Sequence, residues 1–285
     1  MDFDLYQREA EKTDEAKKST ISLYGLSGEV GSIFSLFKKR VRDNPPFQKF
    51  QDQLEEELGD LLWYISSIAS IHKISLNEVA ARNLAKSRSL FDEGEITQFD
   101  KGFKAEERLP RSLTVDFRLD PETKKSEMFV HGSRVGDPLS DNAHEEDHYR
   151  FHDIFHLSFM AFLGWSPVMR RVLKLKRKSD SKIDENEDGA RAAITEEAIS
   201  AIIFNVAEDN DFFREIRSIP FSLLKTISSL GSKFEVKACT FKQWQQAIWH
   251  ACQIYRELVA NGGGTVELDL DEPGIRYVGR PNIGV

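Results

Sequence analysis

Two acids three residues apart, Glu57 and Asp60, lie in the stretch LEEELGDLLWYISSIASI. Leu58, Leu61, Leu62, Ile65, Ile68 and Ala69 recur there at the spacing of a helix with one apolar face. Residues three apart are neighbours on a helix, so both carboxylates share one side and border the apolar stripe. Two carboxylates at a core edge repel each other and lose hydration. A cation between them relieves both strains, and hard oxygen donors suit Mg²⁺ or Mn²⁺. The ordinary alternative is a solvated helix edge, which is how the adjoining Glu55 and Glu56 read. A second chemistry-bearing stretch is HEEDHYRFHDIFHLSFMAFLGW. Its periodicity predicts a helix from Asp147 to Leu163 with His148, His152 and His156 each four apart, one slowly turning stripe. Glu196 and Glu197 open a later apolar helix, ITEEAISAIIFNVAED. A His-x-x-x-His helix facing an acid-bearing one is a metal or acid–base constellation. The alternative places His152 and His156 as hydrogen-bonded core residues and leaves His148 exposed.

The elements that would hold the first acids are helices. Residues 2 to 18 read as a charged amphipathic helix. A second begins near Ser19 or Thr20, with Leu23, Leu26, Val30, Ile33, Phe34 and Phe37 at helical spacing. Gly25, Gly28 and Gly31 on it suggest close approach of a neighbouring helix or a ligand, because glycine costs a helix up to ~1 kcal/mol. Glu29 flanks the apolar face of this helix. Asn44-Pro45-Pro46 is a strong stop. After the Glu57/Asp60 helix, Ser75 and Glu78 make a capping box for a further helix that carries Asn83 and Lys86.

From Tyr24 to Phe91 the pieces YGLSGEVGSIFSLFKKR, EEELGDLLWYISSIA and SLNEVAARNLAKSR resemble the MazG-like all-α nucleoside triphosphate pyrophosphohydrolase family. The resemblance implies a helical bundle completed in a dimer or tetramer. It implies Mg²⁺-dependent cleavage of a (d)NTP to a nucleoside monophosphate and pyrophosphate. It places Glu29, Glu57 and Asp60 on metal-ligand positions, and Asn83 and Lys86 on substrate-contacting ones. The family commonly has a second glutamate one turn after the first, where this chain has Ser32. Three carboxylates can still hold one Mg²⁺, with water completing its shell. The missing acid opens a second reading: a nucleotide-binding regulatory protein with a weakened site. A third puts the main chemistry at the histidines.

The chain has 285 residues, 40% hydrophobic and 30% charged, which is the composition of globular protein rather than disorder. A net charge of −8 argues against stable nucleic-acid binding or adhesion to an anionic membrane. Cys239 and Cys252 form no disulfide framework or zinc spacing, which fits a reducing cytoplasm. The N-terminus is too polar for a signal peptide, and no apolar run reaches the ~18 residues of a membrane span.

The expected organisation is a helical domain over residues 1–95, a polar linker over 96–110 and an α+β domain over 111–285. SLTVDFRLD alternates at strand periodicity, pairs with SEMFVHG as a hairpin, and joins two strands from NGGGTVELDLDEPGIRYVG. Helices are predicted over 166–176, 191–207, 220–230 and 240–260. RRVLKLKRKSDSKIDENEDGAR reads as a mobile, solvated loop. The fold class is thus mainly α, a helical bundle followed by an α+β domain with a small antiparallel sheet.

Overall fold

Helices α1 (Phe3–Glu11), α2 (Ser19–Asp43), α3 (Phe47–Ile71) and α4 (Leu76–Phe91) follow one another at the N-terminus. The computed structural model describes residues 1–43, 47–92, 94, 97–215 and 218–279, and Phe47 by its backbone alone. The predicted stop at Asn44-Pro45-Pro46 lies outside these residues. The chain divides into two units, 1–88 and 89–285.

In the first unit α2 and α3 run antiparallel. Ser22 meets Ser67 at one end, with hydroxyls 2.7 Å apart, and Phe37 meets Phe50 at the other, ring centroids 5.3 Å apart. Between them Gly25 lies under the Tyr64 ring, where a Cβ would come within 2.2 Å of the aromatic carbons. The close approach expected of the glycines is therefore real at Gly25, whereas a Cβ at Gly28 or Gly31 would meet nothing within 4 Å. Asp14, in the turn after α1, fastens the pair. It accepts from Ser67 Oγ at 2.5 Å and from the amides of Ala16 and Lys17. The Ser67 hydroxyl, then the Lys17 amide, hold its carboxyl below the usual aspartate range. Trp63 Nε1 donates to Thr13 Oγ1 at 2.8 Å. Ser75 caps α4 by accepting from the Glu78 amide, as its capping-box spacing predicts.

The second unit is α+β. Strands β1 (Ser112–Leu119), β2 (Ser126–Val130) and β3 (Ser133–Leu139) come first. Then come α5 (Asp153–Leu163), α6 (Pro167–Val172), α7 (Ser181–Asn186), α8 (Ala190–Glu208), α9 (Phe221–Gly231) and α10 (Phe241–Asn261). Strands β4 (Gly263–Asp269) and β5 (Gly274–Gly279) follow them. The sheet is antiparallel in the order β3-β2-β1-β4-β5. Val115 of β1 stands opposite Val130 of β2 and Val266 of β4, so one sheet face supplies core. The predicted alternation along β1 holds: Leu113, Val115 and Phe117 are buried. Strand β3 escaped prediction. It is mostly exposed, carries Gly136 and Pro138, and has little apolar patterning; the His131-Gly132 turn, both residues at positive φ, returns the chain to it.

Every residue from Ile154 to Leu163 is buried, so α5, mostly apolar, is enclosed on all sides within the unit. Helix α10 packs along it, and Ser158 Oγ donates to the Ala247 carbonyl at 2.7 Å. The predicted helix from Asp147 to Leu163 begins only at Asp153. A single 3₁₀ turn at Tyr149–Phe151 precedes it, and His148 is in the left-handed region at φ 62.

The charged run that begins at Arg170 inside α6, read as a mobile loop, is instead anchored and includes α7. Arg170 and Arg177 are each 1% exposed. Arg177 Nη2 lies 2.6 Å from Asp188 and 2.7 Å from Glu235, and Arg170 Nη2 lies 2.7 Å from Asp100. The polar stretch before β1 contributes buried Asp100 and Leu109 to the same unit. Charges can be this deep only when paired, and a charge run on paper does not reveal its partners. No helix among the described residues is long and apolar enough to cross a membrane.

Two outcomes follow from these networks. Arg177→Met strands Asp188 and Glu235 and should cost about 3–5 kcal/mol, read from denaturant unfolding, whereas the exposed Arg42–Asp43 pair should be dispensable. Asp14, whose folded pKa is depressed, contributes stability above its unfolded pKa and loses it as pH falls through the folded value. The stability gap between wild type and Asp14→Asn should therefore shrink on acidification; a gap independent of pH would contradict this.

Candidate functional sites

Glu29 comes from α2, and Glu57 and Asp60 from adjacent turns of α3. Glu29 and Glu57 are half-buried and Asp60 is exposed. The Glu29 carboxyl is pushed above the usual glutamate range, first by loss of hydration, then by the charges of Asp60 and Glu57 and a hydrogen bond with Glu57. Asp60 also raises the Tyr6 hydroxyl, after partial burial. The predicted acids therefore sense one another on one side of the α2–α3 pair. They are not among the described groups whose ligand atoms all lie within 4.8 Å of one another. Beside them runs a groove of about 420 Å³ lined by Gly28, Gly31, Ser32, Ser35, Lys39 and Glu57. Ser32, at the position where the family resemblance expects an acid, is half-buried in that groove. Asn83 and Lys86 are exposed on α4.

The histidine region is more closely built. His156 on α5 is fully buried, and its Nδ1 lies 2.8 Å from Glu196 Oε1 on α8. Glu196, also fully buried, accepts from Ser166 Oγ at 2.6 Å and from the Val168 amide at 2.7 Å. His152 Nδ1 lies 2.9 Å from the Tyr149 carbonyl, and the Tyr149 ring stacks on the imidazole at 4.2 Å. The two Nε2 atoms turn toward Glu197 Oε2, 3.2 Å from His156 and 3.8 Å from His152. Asp153 Oδ1 lies 4.0 Å from His152 Nε2.

Electrostatics couple the cluster. Burial alone would lower the His156 pKa, but Glu196 and Glu197 override it and push it up to about 10. The imidazoles of His152 and His156 beside it hold Glu197 well below the usual carboxylate range. Burial pushes the Asp153 carboxyl up against the pull of both histidines. Tyr149 is pushed up to about 12, by burial first and then by Glu197 and Asp153.

The three-histidine stripe does not form. His148 stands apart, its Nδ1 3.5 Å from Glu146. Arg150 pairs with both Glu146 and Asp141, so those acids are already neutralised. The left-handed residue and the 3₁₀ turn break the four-residue period, and only His152 and His156 converge with Glu197. Tyr149 and Ser166 were missed by sequence reasoning. Ser166 was detectable, because Ser-Pro at a helix start marks an N-cap. For Tyr149 no local signal exists, since its role depends on a backbone carbonyl.

Comparison with known proteins adds independent information. The family described as the MazG nucleotide pyrophosphohydrolase domain matches residues 19–89, and the MazG C-terminal domain matches residues 94–281. The Gene 37 protein of Mycobacterium phage L5 is 35% identical over 107 residues, covering 34% of this chain and 94% of the phage protein. No solved structure matches the chain. The two matches follow one another along the chain and together span most of it, so the protein belongs to the MazG nucleotide pyrophosphohydrolase family, with that family's C-terminal domain attached.

Proposed function

We propose that the chain is a divalent-metal-dependent nucleoside triphosphate pyrophosphohydrolase. It would cleave a (d)NTP between the α and β phosphates, giving a (d)NMP and pyrophosphate. The catalytic domain would lie within residues 1–95 and the α+β domain would occupy 111–285, with the connecting stretch 96–110 packed into that second unit through Asp100 and Leu109. The observation that carries this reading is Glu29 of α2 set against the Glu57/Asp60 pair of α3, its acidity suppressed first by lost hydration and then by their charge. Like charges gathered at a half-buried place make a field that favours a cation. The donors are all carboxylate oxygens, the chemistry of Mg²⁺ or Mn²⁺ rather than of a softer ion.

Glu29, Glu57 and Asp60 would hold the ion. Bound there, it would supply polarisation of the phosphate oxygens and offset the charge that develops as the anhydride breaks. A water held by these carboxylates would attack phosphorus. Lys86 would steady the departing pyrophosphate, and Asn83 would contact a phosphate or orient an acid.

A single copy leaves this unit poorly covered. Leu23, Tyr24, Phe34, Val41 and Leu58 are exposed. Apolar surface of that extent marks an interaction face. A second copy of the same helices, in a dimer or tetramer, is the cover that the reading requires. Ser32 favours one rival: a nucleotide-binding regulator whose turnover is weak because one charged ligand is missing.

With Mg²⁺ or Mn²⁺ the full chain should release pyrophosphate and a monophosphate from at least one member of a (d)NTP panel. Inertness toward the whole panel would sink the enzyme reading. Glu57→Ala and Asp60→Ala should each lower kcat by about 100-fold or more. Nucleotide binding without turnover, with hydrolysis gained about 10-fold or more in Ser32→Glu, would favour the regulator instead. In sedimentation, wild type should exceed the single-chain mass and Phe34→Asp should shift toward it; a monomeric wild type would remove the second copy from the scheme.

A further inference from the structure

We propose that His152, His156 and Glu197 form a second metal centre, built for a first-row transition ion such as Zn²⁺. Its three donor atoms all lie within 4.8 Å of one another. In a tetrahedral site with bonds near 2.0–2.1 Å, donor atoms stand about 3.3 Å apart. Glu197 Oε2 is 3.2 Å from His156 Nε2 and 3.8 Å from His152 Nε2, so small side-chain shifts would complete the shell.

The surroundings orient these donors. Each Nδ1 faces an oxygen: the Glu196 carboxylate for His156, the Tyr149 carbonyl for His152. That pattern suits a proton kept on Nδ1, so that an ion displacing any Nε2 proton would find a lone pair there, the usual support of a metal-bound histidine. Glu196 is itself held by Ser166 Oγ and the Val168 amide, so it cannot swing away. A simple buried ion pair between His156 and Glu196 would account for Nδ1 alone. The far nitrogen, His156 Nε2, is fully buried and faces only Glu197 Oε2, 3.2 Å away and out of line for a regular hydrogen bond. A buried polar atom in that condition calls for a ligand.

The donor set also narrows the ion. Two imidazoles and one carboxylate suit Zn²⁺ or Fe²⁺ and are a poor match for Mg²⁺. Three protein ligands leave a fourth position, and the Glu197 side chain, 41% exposed, leaves that side open to solvent. Such an open position is the mark of a catalytic rather than a structural ion. The centre stands or falls independently of the nucleotide reading.

The test is a Co²⁺ titration of metal-stripped full chain, followed by its visible ligand-field bands. One equivalent should bind, resist excess Mg²⁺, yield to Zn²⁺, and persist in Asp60→Ala. Glu197→Gln should weaken binding at least about 10-fold without moving the thermal melt, and His152→Ala should do likewise. Folded protein that takes up no Co²⁺, or binding unaltered in both Glu197→Gln and His152→Ala, would overturn the proposal.

Discussion

An ionised carboxylate withdrawn from water must be given donors or a cation, and this requirement organises both halves of the chain. In the second unit it is met from within. Glu196 collects a histidine, a hydroxyl and an amide, and Asp188 collects a guanidinium and the Arg177 amide. In the first unit Asp14 collects a hydroxyl and two amides. Glu29 is not given such donors: lost hydration, then the charges of Asp60 and Glu57, push its carboxyl up, and that contrast sets it apart from the acids that serve the fold.

The two units also differ in how far they satisfy themselves. Helix α5 is enclosed on every side, and Ile154, Phe155, Leu157 and Phe159 have no exposure at all. The α2–α3 pair buries Leu36, Phe50 and Ala69 but leaves Tyr24 and Phe34 mostly in solvent. Hydrophobic periodicity identifies a face that needs covering and is silent about what covers it. The helices of the first unit were therefore legible from spacing, except that the first, expected over residues 2 to 18, ends at Glu11; what covers the exposed face was not.

Legibility failed where structure depends on distant pairing or on single backbone angles. The period of four through His148, His152 and His156 was correctly noticed but presupposed a continuous helix; one left-handed residue at His148 ended it. The run from Arg170 to Asp188 looked solvated because Asp100 and Glu235 lie far away in sequence. Strand β3 was invisible because an edge strand needs no alternation. By contrast β1, α8 and α10, and the convergence of His156 with Glu196 and Glu197, could be anticipated: strong periodicity and paired acids at a helix start carry their own explanation.

Strand β3 has one further effect. Pro138 offers no amide, Gly136 takes a positive φ, and the pairing with β2 slips out of register between Ser126 and Met128. That margin is a poor template for another chain, which disfavours ribbon-like stacking through it. Crowding many copies together, as self-association through exposed helices would do, thus carries little risk of fibre growth from this side.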